Sequence, residues 1–256
     1  MTLGIILKAK DETIVIVSDK RVTEGNIAMS SHGDVVEKIH KVTNKCGLTI
    51  AGDAGTAVAI IDPFLREVNL ELKKGGNSDI PVSVAADIFH RVAVDYYTKY
   101  FKDMTMPEWV ENIKANNIPS FRILLAGFDS DEQGLLSKPK IIELSSIRRF
   151  APSAVPIDFA AIGVPNIARY LLYRFYTEDK DETVVASLAA FCIQETSSQD
   201  DSVGDQFQIA SFSKDQSFRF YSDEELERIK IRCAEIKTEF QTSLFTSPKV
   251  KEEGTI

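Results

Sequence analysis

The residue whose type and position carry the most chemistry is Thr2. Removal of Met1 would leave a small hydroxyl residue at the head of a strand, beside its own free α-amine. Such an amine ordinarily titrates at about 7.7–8.0, so it can accept a proton near neutral pH. Held next to a hydroxyl, it activates that hydroxyl as a nucleophile. A Met-Thr start is common, so the assignment depends on what else the chain brings to that end. No GxGxxG, Walker loop, HExxH or GxSxG occurs in the sequence. His32, His40 and His90 are not arranged as a metal set, and His90 falls in an apolar helical pattern that predicts a structural role. Cys46, Cys192 and Cys233 are odd in number, widely spaced and free of CxxC or Cys/His patterns. They predict neither a zinc site nor a disulfide framework and fit a reducing, cytoplasmic compartment. No cofactor and no metal is expected.

The 256 residues are 44% hydrophobic and 27% charged, the composition of an ordinary globular chain long enough to bury a large core. The 30 basic and 38 acidic residues leave a formal charge of −8 without a basic stripe, which argues against nucleic acid as a partner. No apolar run approaches the roughly 18–20 residues that span a bilayer. Met1-Thr2-Leu3-Gly4-Ile5-Ile6-Leu7 has neither a basic leader nor a cleavage site. Folding is therefore expected to begin almost at residue 2, with no propeptide and no membrane association.

The elements that must position Thr2 follow from periodicity. Residues 3–7 and 13–18 are β-branched runs around the turn Lys10-Asp11-Glu12, which reads as a hairpin. A loop containing Gly25, Asn26 and Gly33 follows, then a second hairpin of 35–42 and 46–51. Val58, Ile61, Leu65, Val68 and Leu72 predict a helix over 54–74, with Pro63 in an early turn or at a bend. Val84, Ile88, Val92 and Tyr96 predict another over 82–101. The stretch 104–120, with Trp109 between Pro107 and Pro119, reads as a short insertion. Strands are expected at 121–128, 139–144 and 155–162, helices at 165–177 and 181–198, and strands at 206–213 and 217–221. A last helix starts at the capping box Ser222-Asp223-Glu224-Glu225 and runs to about Leu244. Blocks of strands and helices, rather than strict alternation, predict an α+β chain with two packed antiparallel sheets and helix pairs outside. One domain, 2–245, is expected, with a disordered tail at 246–256.

Several segments share a pattern. Ser18-Asp19-Lys20-Arg21-Val22-Thr23-Glu24-Gly25-Asn26, Glu37-Lys38-Ile39-His40-Lys41-Val42 and Gly47-Leu48-Thr49-Ile50-Ala51-Gly52 closely resemble the proteasome β-subunit family. Leu124-Leu125-Ala126-Gly127-Phe128-Asp129, Ala161-Ile162-Gly163 and Ser202-Val203-Gly204-Asp205 are similar to later family segments, in family order, over roughly residues 2–221. The resemblance implies the four-layer αββα sandwich of N-terminal nucleophile hydrolases. It also implies a threonine peptidase that assembles as a homo-oligomeric ring or coil, taking peptide or unfolded-protein substrates and, in some assemblies, working with an unfoldase. The start is closest in style to the bacterial Anbu and HslV types.

Carried over by the resemblance, Thr2 is the nucleophile and its amine the general base. Lys38 matches the lysine that lowers the pKa of this amine, Asp19 the acid that holds the lysine, and the Gly52 N–H the oxyanion donor. Arg21 is expected to be a supporting partner. Two departures stand out. The family serine after the AIG glycine is replaced by Val164-Pro165-Asn166, and the serine before Gly204 is replaced by Val203. Ser202 lies one residue away, and Asp200 or Asp201 matches the family acid. Beside a peptidase, the same residues fit a catalytically silent structural subunit, or an amidohydrolase acting on a small amide through the same Thr2.

Overall fold

The computed structural model describes residues 2–24, 27–29, 37–76, 78–101, 104–130 and 136–245. The apolar runs flanking the Lys10–Glu12 turn pair as β1 (Leu3–Ala9) and β2 (Thr13–Asp19), in register from Gly4–Ser18 to Ala9–Thr13. Where a loop was expected, a small ribbon forms from β3 (Val22–Glu24) and β4 (Ile27–Met29); Gly25, Asn26 and Gly33 lie outside the described residues. The second hairpin is shorter on its first arm, β5 (Ile39–Lys41), than on its second, β6 (Cys46–Gly52).

Three helices follow: α1 (Ala54–Gly75), α2 (Val82–Tyr100) and α3 (Met106–Lys114). Asp53 caps α1 by accepting the Thr56 N–H at 2.7 Å, and Gly76 ends it in the left-handed conformation. Pro63 falls inside α1, beyond its early turns, flanked by the buried residues Ile60, Ile61, Phe64 and Val68. Of the residues expected on the inward faces of α1 and α2, Ile61, Val68 and Ile88 are buried and Leu65, Leu72, Val92 and Tyr96 pack against the core. Val58 and Val84 are exposed, while Phe64, Phe89, Ala93 and Tyr97 point inward. The short insertion is a capped helix: Thr105 and Glu108 of α3 form a capping box.

The chain continues through β7 (Phe121–Ser130), β8 (Leu136–Ser145), β9 (Ser153–Ala154) and β10 (Phe159–Gly163), then α4 (Asn166–Phe175), α5 (Glu182–Ser197), β11 (Phe207–Phe212), β12 (Arg219–Phe220) and α6 (Asp223–Phe245). The strand expected at 155–162 is broken at Pro156, whose missing N–H cannot serve a ladder, so β9 and β10 join different sheets. Ser222 and Glu225 cap α6 reciprocally, with bonds of 3.3 and 2.8 Å. The tail expected at 246–256 lies outside the described residues.

Two five-stranded sheets result, ordered β10-β1-β2-β11-β12 and β5-β6-β7-β8-β9, with neighbouring strands antiparallel throughout. Period-two alternation assigns each strand two buried faces. From β1 and β2, Leu3, Ile5, Leu7, Val15 and Val17 pack toward α4, α5 and α6, while Ile6, Ile14 and Ile16 meet Leu124, Ala126 and Phe128 of the other sheet. On the far side, Leu48, Ile50, Ile123 and Leu125 pack on α1 and α2. The layers are therefore α, β, β, α. Each such Leu, Ile or Phe contributes about 1.5–3 kcal/mol by leaving water. Among the described residues, no helix is long and apolar enough to cross a membrane.

Candidate active site

The last residue of β2, Asp19, is fully buried, and its carboxylate is filled by four donors. Oδ1 accepts the Leu3 N–H at 2.9 Å and Lys38 Nζ at 3.0 Å. Oδ2 accepts the N–H groups of Arg21 at 3.1 Å and Gly204 at 3.0 Å. A buried carboxylate is stable only when its lone pairs are answered in this way. Lys38 is 4% exposed and donates a second hydrogen bond to the Arg21 carbonyl. Burial pulls its ammonium below the ordinary value, and the Asp19 charge opposes that shift.

Thr2 is also buried, at the head of β1, one residue from the Leu3 N–H that Asp19 holds. Its carbonyl accepts the Val164 N–H at 3.1 Å. This contact uses backbone alone, so the valine in place of a serine does not disturb it. Gly163 ends β10 at φ 91°, and a Cβ there would lie 1.6 Å from the Thr2 oxygen and 3.2 Å from the Ala51 Cβ. Only glycine lets β10 pass so close. This crossing brings the end of β6, and with it Gly52, to the Thr2 end of the sandwich. Gly52 has φ 124°, and a Cβ there would meet the Ser120 carbonyl at 2.3 Å.

The turn before β11 joins the same end. Gly204 donates to Asp19, and Arg21 Nη1 donates to the Asp201 carbonyl at 2.6 Å. Asp200 Oδ1 accepts the Ser202 N–H at 2.9 Å and the Ser202 hydroxyl. Those two bonds hold the Asp200 carboxyl below its usual value. Asp200 and Ser202 therefore form a pair, while Asp201 contributes its backbone. Val203 is fully buried in the core under α5. Reading the sequence alone missed the Gly204 N–H, the Arg21 carbonyl and the Gly163 crossing; of these, only glycines at strand ends leave any sequence signal.

Other reactive groups are occupied elsewhere. Cys46, Cys192 and Cys233 are buried and free. Burial pushes the Cys192 thiol up to about 12 and the Cys233 thiol to about 11, so neither supplies a thiolate. His90 Nδ1 lies 2.9 Å from the Phe150 carbonyl, in the structural role expected of it. Among the described residues, no three His, Cys, Asp or Glu side chains are grouped to hold a metal ion.

The sequence model of the family described as "Proteasome subunit" matches residues 3–111, from β1 into α3. The chain is 24% identical over 232 residues to the proteasome subunit beta of Methanocaldococcus fervens, covering 89% of this chain and 87% of that one. The corresponding subunit of Methanopyrus kandleri is 20% identical over 235 residues, 89% of this chain and 93% of that one. That of Methanocorpusculum labreanum is 34% identical over 88 residues, 34% and 38% of the two chains. The chain thus resembles proteasome subunits in the family match from β1 into α3 and in its similarity along most of its length to β-subunits, a likeness with which two packed antiparallel sheets between helix layers agree.

Proposed function

We propose that the chain is a threonine peptidase subunit that hydrolyses peptide bonds through Thr2 once Met1 is removed. The Thr2 amine takes the hydroxyl proton and the oxygen attacks the substrate carbonyl carbon. Charge on the tetrahedral oxygen is met by the Gly52 N–H. The protonated amine then passes its proton to the leaving amine, which departs and leaves an ester on Thr2. Water, deprotonated by the same amine, attacks the ester and frees Thr2. Lys38 keeps the amine's pKa low through its positive charge. Asp19 fixes Lys38, and the Asp200–Ser202 pair stands in for the missing family serines.

One observation carries this reading: Lys38 Nζ and the N–H that follows Thr2 share a single buried oxygen of Asp19. The relatives are named as subunits, which supports work within an assembly. A cytoplasmic homo-oligomer fed with peptides or unfolded chains, in some settings by an unfoldase, is the form we favour. The test is hydrolysis of fluorogenic peptides by the wild type and Thr2→Ala, with assembly followed by sedimentation. The variant is expected to assemble and to lose hydrolysis. Undiminished hydrolysis in Thr2→Ala overturns the mechanism.

A catalytically silent subunit is the second reading, favoured by Val203 lying buried where the family has a serine. It prevails if the assembled wild type does not turn over peptides and an electrophilic peptide leaves Thr2 unmodified by intact mass.

A further inference from the structure

Away from Thr2, α5 is apolar on both of its sides. Val185, Ala186, Ala189, Ala190 and Ile193 are buried in the core that covers β1 and β2. On the other side Val184 is 51% exposed, and Leu188 and Phe191 are only partly buried. Spacings of four and three residues put these three on one continuous stripe. A helix that is apolar all round is ordinarily buried all round.

The stripe is the floor of an open cavity of about 1000 Å³ between α4, α5 and α6, at the upper end of the range of small-molecule sites. Leu171 and Phe175 of α4 line one wall and Ile229 and Ile236 of α6 the other, so the lining is mainly hydrocarbon. Every carboxylate on the rim already has a cation. Glu182 accepts Arg219 Nη2 at 3.0 Å and the Tyr221 hydroxyl at 2.7 Å. Glu225 accepts Arg219 Nη1 at 2.8 Å, and Glu195 accepts Lys237 Nζ at 3.2 Å. Lys180 is paired with Asp179 at 3.2 Å. Arg232 has only a loose contact of 3.4 Å with Glu235 of its own helix. Arg228, one turn earlier on the same wall, is exposed and has no ion pair among the described residues. The rim therefore carries surplus positive charge above an apolar floor.

We propose that this cavity binds a medium- or long-chain aliphatic monocarboxylate, with its hydrocarbon chain along Leu188 and Phe191 and its carboxylate on Arg228, beside Arg232. The guanidinium fork matches the two oxygens of a carboxylate. An ammonium head group would find no unpaired acid on the rim, and a neutral one would leave Arg228 unanswered. The chain covers the outer stripe of α5, which its own fold leaves open to water.

The test uses the full chain. Octanoate, decanoate and dodecanoate, each below its micellar concentration, and 1-decanol are titrated calorimetrically into the wild type, Arg228→Gln and Leu188→Glu, with sedimentation of each protein. The wild type is expected to bind one carboxylate per chain, with affinity rising about fourfold for each added methylene. Arg228→Gln should bind decanoate about tenfold more weakly, and 1-decanol as the wild type does. Leu188→Glu should bind neither. Unsaturable uptake, an affinity independent of chain length, or undiminished decanoate binding in Arg228→Gln overturns the proposal. So does a wild type that binds nothing, and dissociation of its assembly by Leu188→Glu then assigns the groove to a second copy of the chain. If Leu188→Glu does not fold, the chain-length series and Arg228→Gln, a change at an exposed residue, decide by the same criteria.

Discussion

Asp19 and Lys38 are joined through an oxygen that also holds the main chain of β1: Oδ1 takes Lys38 Nζ at 3.0 Å and the Leu3 N–H at 2.9 Å. The ion pair and the start of the first strand are therefore one unit. Breaking a buried pair by removing one charge costs about 3–5 kcal/mol, because the other charge is left unanswered. Asp19→Asn is expected to lower the unfolding free energy by that order in urea denaturation. Adding Lys38→Met to Asp19→Asn should restore part of the loss. Strictly additive losses in the two single variants and the double would show that the pair is not coupled.

Gly163 and Gly76 both have positive φ, at 91° and 63°, yet their surroundings differ. A Cβ at Gly76 would meet nothing within 4 Å, whereas one at Gly163 would collide with the Thr2 carbonyl. Gly76→Ala is expected to cost about 1 kcal/mol, the backbone penalty alone. Gly163→Ala should cost at least about 2 kcal/mol more, since β1 or β10 must move, and it should suppress peptide hydrolysis by displacing Thr2. Equal stability losses in the two variants would refute the close crossing.

The layers were legible in the sequence because β-branched apolar runs and stretches of helical spacing come in blocks. Asp19 and Lys38, singled out by the family resemblance, pair in space, and Asp19 also holds the Leu3 N–H that follows Thr2. Details set by tertiary packing were not legible. Ile61, Val68 and Ile88 of the expected inward faces of α1 and α2 are buried, but Val58 and Val84 are exposed and Phe64 and Phe89 pack inside edge to face. The choice between Asp200 and Asp201 was open at the level of spacing. In the structure the Asp200 carboxylate bonds Ser202, whereas Asp201 accepts Arg21 through its carbonyl.

His40 gives the fold a dependence on pH. Its Nε2 is buried without a partner, and burial lowers its pKa from the ordinary 6.5, with the Glu37 and Asp62 charges opposing. The unfolded chain therefore binds this proton more readily than the folded one. Stability from His40 is complete above about pH 6.5 and is lost as pH falls from there through the lowered folded value. Lys38 acts in the same sense at alkaline pH. Its folded pKa is also lowered, so its destabilising share is relieved only as pH rises toward the unfolded 10.5. Denaturation midpoints at pH 7.5 and 5.5 should fall further apart for the wild type than for His40→Asn. An unchanged difference would remove His40 as the source.

Ser202 and Val203 separate two accounts of the missing serines. Val203 is fully buried in the apolar core under α5, so a serine there would place a hydroxyl among hydrocarbon groups. An unpaired buried hydroxyl costs about 1–3 kcal/mol. Val203→Ser is therefore expected to destabilise the chain without raising peptide hydrolysis. Ser202→Ala removes the hydroxyl bonded to Asp200 and frees that carboxyl from one of the two bonds that hold its pKa down. In the threonine-peptidase reading it should lower kcat at nearly constant KM, and shift the acid limb of the pH–rate profile upward, while leaving the urea midpoint nearly unchanged. If Val203→Ser instead gains activity and Ser202→Ala loses none, the hydroxyl belongs at 203 and the chain is a weakened peptidase.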